Sequence, residues 1–254
     1  MPIIPASDEL TALEASVVRL RDLVGSFRPD ERRAQAYPSE WTVAEVIAHL
    51  GSGAEIAILR IDEAFGGPPV DPEPIWNVWN AKDPDAKAAD ALGADRALID
   101  RLHGLTAEER DAFTMSMGPM NLDFQTFARL RLNEHVLHSW DVAVTFDPAA
   151  ALADDAVPLI LETLPMIAGF AGKPTGATRQ LRVATTEPDR QFIIDLRSDG
   201  VSLAPSTGRE QRDLELPAEA LIRLVYGRLD KDHTPSVTGA DADLEELRRA
   251  FPGV

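Results

Sequence analysis

The stretch NEHVLHSWDVAV, residues 133–144, concentrates chemistry. The chain has five histidines, and two of them fall here beside a glutamate and just ahead of a Trp-Asp pair. On a helix, residues four apart lie about 40° apart around the axis, with side chains roughly 6 Å from one another. Glu134 and His138 therefore project from one face, and Asp141 lies near it. His135 sits about 100° round from Glu134 and points elsewhere. An i, i+4 carboxylate–imidazole pair can clamp a divalent cation, but it lacks the third protein ligand usual in catalytic zinc sites. His49, in WTVAEVIAHL, is the best donor of that ligand, because it lies on the apolar side of its helix beside Val46 and Leu50. The same Glu-x-x-x-His spacing also serves as an ordinary surface pair, and a core histidine is often just hydrogen-bonded. Spacing alone leaves both readings open. His103, His135 and His233 are assigned structural or surface roles.

Composition narrows the options. The 254 residues suffice for one large domain or two ordinary ones. There is no cysteine. Disulfides and thiolate ligands are excluded, any metal must be held by imidazole and carboxylate, and a thiol nucleophile has to come from outside the chain. The net charge of −17 argues against nucleic acid or an anionic membrane as the main partner. No apolar run is long enough to span a membrane, and MPIIPASDEL lacks the basic-then-apolar order of a secretory leader, so a cytoplasmic location is expected.

The elements that must position these residues follow from periodicity. Leu10, Leu13, Val17, Leu20 and Val24 form one helical stripe, with Ser7 or Asp8 as its cap. Thr42 and Glu45 have capping-box spacing and open a second helix, whose stripe runs through Val46, Ile47, Leu50, Ile56 and Leu59 until FGGPP stops it. PDAKAADALGADRALIDRLHGL and DFQTFARLRLNEHVLHSWDVAVTF give a third and a fourth helix. DDAVPLILETLPMIAGF gives a fifth, which Pro158 and Pro165 should shorten or bend. Four long helices predict an antiparallel bundle over residues 1–172. That stretch carries 28 acids against 13 bases, whereas 173–254 carries 14 against 12. Beyond the linker AGKPTGATR, alternating segments turned by Ser-Asp-Gly, then LPAEALIRLVYGRL, SVTGAD and DLEELRRAF, predict a small α+β domain with an antiparallel sheet over 173–254.

WTVAEVIAHL resembles the segment opening the second helix of the DinB-like superfamily. NEHVLHSWDVAV resembles the Glu-x-x-x-His-x-Trp-Asp segment of its mycothiol-dependent maleylpyruvate isomerase family. The C-terminal part, with ALIRLVYGRLD and SVTGADADLEELRRAF, is similar to the family's small domain, which is related to sterol carrier proteins. The resemblance covers nearly the whole chain in order. It implies that His49, Glu134 and His138 bind a divalent metal, commonly zinc, and that the sulfur of mycothiol replaces a water on it. A thiol of pKa about 8.5 then becomes a thiolate. Asp141 would orient His138. The implied enzyme is an isomerase, whose thiolate adds to a conjugated cis double bond that rotates before elimination, or an S-transferase that consumes the thiol. Its partners are mycothiol and an electrophilic small molecule. Negative charge developing on the substrate would be stabilised by Arg228 as the catalytic arginine, with Arg131 as a second candidate for substrate binding. Two other readings stand beside this one. One is a zinc hydrolase using bound water on the same ligands. The other is a non-catalytic binding protein whose structural metal has a fourth ligand from His135 or Asp141.

Overall fold

The computed structural model describes residues 8–37, 40–117, 120–208 and 212–253. The chain forms two compact units, Met1–Ala156 and Val157–Val254.

In the first unit four long helices, α1 (Asp8–Ser26), α2 (Val43–Ala64), α4 (Pro84–His103) and α6 (Phe124–Val144), make a bundle. Each packs on two others, in the cyclic order α1–α4–α2–α6. Short elements connect them: α3 (Glu73–Ala81), α5 (Ala107–Ala112) and a hairpin of β1 (Met115–Met117) and β2 (Met120–Leu122). Side-chain pairings give the directions. Glu9 meets Arg129 and Ser16 meets His135, so α1 and α6 run the same way. Asp62 meets Arg101, and Gly51 abuts Ala91, so α2 and α4 are also parallel. The neighbours α2 and α6 are antiparallel, because His49 meets Glu134 while Gly53, further along α2, meets Arg131, earlier on α6. The antiparallel expectation thus holds for α1–α4 and α2–α6 but not for the other two contacts. A parallel pair needs a return path, and the long connection carrying α3 supplies it between α2 and α4.

Local sequence explains where these helices begin and which faces they bury. The Thr42 hydroxyl accepts from Glu45 N–H at 3.3 Å, while Thr42 N–H donates to the Glu45 carboxylate at 2.7 Å, a complete capping box. The N-cap of α6 is Asp123, which accepts from Thr126 N–H. The Ser7 cap proposed for α1 lies outside the described residues. On α1, Leu10, Leu13, Leu20 and Val24 are buried, while Val17 is half-buried. On α2 the buried face continues through Ala54, Ala57 and Ile61 rather than Leu59, which is exposed. Small residues there let α4 approach closely: a Cβ on Gly51 would fall 2.4 Å from the Trp79 ring and 2.8 Å from the Ala91 Cα. Among the described residues no helix is long and apolar enough to cross a membrane.

The second unit opens with α7 (Val157–Leu161) and α8 (Leu164–Ala171), the two pieces into which the proline-bearing fifth helix is broken. A five-stranded sheet follows in the order β5-β4-β3-β6-β7, from β3 (Arg179–Thr186), β4 (Arg190–Arg197), β5 (Gly200–Pro205), β6 (Leu214–Pro217) and β7 (Thr238–Gly239). The β4–β5 hairpin turns at Ser198-Asp199-Gly200 as expected. The sheet is mixed rather than wholly antiparallel, because β3 and β6 pair in parallel. Helices α9 (Ala218–Val225) and α10 (Asp241–Ala250) complete the unit. Since α7 packs on α9 and α8 on β5, this compact unit begins at Val157, ahead of the linker at 171–179.

Candidate metal centre

Two antiparallel helices bring the chemistry together. His49 comes from α2, seven residues after its cap, and Glu134 and His138 come from consecutive turns of α6. Their donor atoms all lie within 4.8 Å of one another. Glu134 Oε2 stands 3.4 Å from His49 Nε2 and 3.6 Å from His138 Nε2. Bonds of 2.0–2.1 Å to a tetrahedral zinc ion place neighbouring donors about 3.3 Å apart, so this set is already close to the spacing such an ion requires. Two imidazoles and a carboxylate are also ligands that zinc favours. The residues fit a divalent cation. The side chains of His49 and Glu134 are 37% and 48% exposed, so the donors face a surface that small molecules can reach.

Electrostatics and tautomer support the same arrangement. His138 Nδ1 is 2.8 Å from Asp141 Oδ2, and Asp141 is fully buried. An ionised carboxylate only accepts, so Nδ1 carries a proton and Nε2 is the nitrogen left to face Glu134 and His49. Burial pushes the His138 pKa down, but the hydrogen bonds it donates to the Asp141 and Glu134 carboxylates outweigh this and leave it raised. Without an ion the Nε2 proton toward Glu134 is therefore favoured, and a cation bound there would displace it. Burial pushes the Glu134 carboxyl up, yet the two imidazoles overcome this and hold it well below the usual carboxylate range. Glu134 is therefore an anion between two bases, the charge state in which it can ligate.

One residue beside the centre had been given no role. The Trp41 ring lies 5.2 Å from His49 and stacks 6.1 Å from His138, forming an aromatic wall next to the donors. Its position directly before the capping threonine was the available signal.

The remaining candidates are placed differently. His135 is wholly buried, with Nδ1 2.8 Å from Ser16 Oγ and Nε2 3.3 Å from Asp95 Oδ2, and so belongs to the bundle interior. Arg131 is also buried, and its guanidinium donates to the Leu50 carbonyl at 2.8 Å and to Asp95 at 3.2 Å. Arg228 belongs to the second unit, where it is buried and donates to the Tyr226 carbonyl. His103 pairs with Glu14 on the surface, and His233 with Asp230.

Comparison with known proteins agrees with this architecture. Two crystal structures share the fold at a TM-score of 0.65 and 15% sequence identity. One is of a mycothiol-dependent maleylpyruvate isomerase, covering 90% of this chain and 91% of that one. The other is of a histidine-to-alanine mutant of such an isomerase, covering 92% and 93%. No curated protein sequence matches the chain. Residues 13–143, which hold the whole donor triad, match the family described as the mycothiol maleylpyruvate isomerase N-terminal domain, and the chain belongs to that family.

Proposed function

We propose that this protein is a divalent-metal-dependent, mycothiol-dependent enzyme acting on an electrophilic small molecule. The observation that carries the proposal is the convergence of His49, Glu134 and His138 at ligand spacing in a chain without cysteine. A cation such as zinc, held by these three residues, would supply the Lewis acidity that keeps a visiting thiol as thiolate at neutral pH. The protein's own groups do the rest. Asp141 fixes the His138 tautomer and ring orientation by accepting from Nδ1. Glu134 contributes the negative charge, and its exposure together with that of His49 leaves one side of the centre open. Trp41 offers a flat apolar surface along which a conjugated substrate can lie.

The chemistry proposed is addition of the thiol sulfur to a conjugated cis double bond, rotation about the resulting single bond and elimination to the trans product, as for a maleylpyruvate-like acid. In S-transfer the thioether is released instead. Mass spectrometry of reactions with mycothiol and a panel of unsaturated acids tests the function. An isomerised product with the thiol conserved, or a thioether adduct, supports it. Equal turnover without thiol would instead point to hydrolysis by bound water.

A further inference from the structure

The interior of the bundle holds a second polar cluster, one turn below the donors. Asp95 on α4, only 1% exposed, accepts from Arg131 at 3.2 Å and from His135 at 3.3 Å, both on α6. His135 in turn meets Ser16 on α1 at 2.8 Å. Arg131 also donates to the Leu50 carbonyl of α2 at 2.8 Å. The cluster thus ties all four long helices together at a single level. Its attachment points adjoin the metal ligands: Leu50 follows His49, His135 follows Glu134, and Arg131 lies three residues before Glu134. Gly53 makes room for this crossing, because a Cβ there would lie 2.8 Å from Arg131 Nη1.

Interdigitated apolar side chains already resist sliding, and a buried charge that would lose its partner adds a steep penalty to any other register. A buried ionic link consequently selects one register. From this we infer that Asp95 and Arg131, with His135, are positioning residues that lock α2 against α6 and thereby set the distance of His49 from Glu134 and His138. This inference rests on the metal reading above and extends it to residues that touch neither metal nor substrate. Arg131 thereby acquires a positioning role in place of direct substrate contact.

Cobalt(II) binding, followed by visible absorption, tests it in the full-length protein, with His49→Ala as the control for the centre itself. In Arg131→Met the dissociation constant should rise about tenfold to a hundredfold, as for other groups that orient ligands, and the cobalt spectrum should change. Gly53→Ala should shift both readouts in the same direction, because it displaces the guanidinium without removing any member of the cluster; it decides the matter if Arg131→Met does not fold. Leu98→Ala, which opens a cavity in the core of α4, should keep the parent's affinity and spectrum. Parent-like binding in folded Arg131→Met or in Gly53→Ala would overturn the positioning role alone, as would an equal loss in Leu98→Ala. Failure of the parent to bind cobalt, or undiminished binding in His49→Ala, would remove the centre and the inference with it.

Discussion

In the proposed centre, the Asp141 carboxylate is the group expected to orient a ligand. It is fully buried and accepts from the ring nitrogen of His138 that cannot face Glu134, so it holds the imidazole without being a donor itself. Asp141→Ala is expected to weaken zinc binding about tenfold to a hundredfold, measured by competition with a chromophoric chelator, while the helix content is retained. Asp95 makes a complementary case. Burial raises its pKa, but His135 and Arg131 more than offset this, so its pKa in the folded protein lies below the ordinary 3.8. A lowered pKa contributes stability that is present above the unfolded value and is lost as the pH falls through the folded one. Asp95→Asn should therefore be destabilised by about 3 kcal/mol at neutral pH. Urea unfolding should show that deficit shrinking as the pH drops below 3.8, whereas a pH-independent deficit would contradict the assignment. Spacing nominated the donor triad, through i, i+4 geometry on one helix and one histidine on an apolar face, but left an ordinary surface pair equally open. It was the resemblance to the family's motifs that singled the triad out. Asp95 was not legible, since an isolated acid in the alanine-rich α4 has no periodic signature and its partners lie 36 and 40 residues away.

At the scale of elements, the strongest local signals proved sound. The Thr42–Glu45 capping box starts α2 at the residue that brings His49 to the donor cluster. Thr42→Ala should lower stability by about 1 kcal/mol, seen as a reduced melting temperature, with metal stoichiometry unchanged. The break between α7 and α8 was likewise written in Pro158 and Pro165. What escaped was short or directional. Helix α3 exposes Trp76 and Val78, so it shows no clean buried stripe, and β6 has four residues. Helix direction is not encoded in any one segment: the parallel packing of α2 on α4 depends on the length of the connection between them and on Gly51, where Trp79 and Ala91 press in.

For the molecule as a whole, composition speaks through what it omits. With no cysteine anywhere in the sequence, the protein offers no thiol to a maleimide. Pretreatment with N-ethylmaleimide followed by its removal should leave turnover intact, while alkylating the added mycothiol should abolish it. The two-unit organisation was visible in the change of texture and charge along the chain, although the compact unit begins at Val157 because α7 and α8 pack with the sheet unit. The central claim, that His49, Glu134 and His138 share one cation, is tested most directly by metal analysis of the purified protein beside His49→Ala and His138→Ala. The account predicts a stoichiometric divalent ion in the parent and its loss from both variants, with far-UV circular dichroism unchanged. Full metal content retained in either folded variant would contradict it.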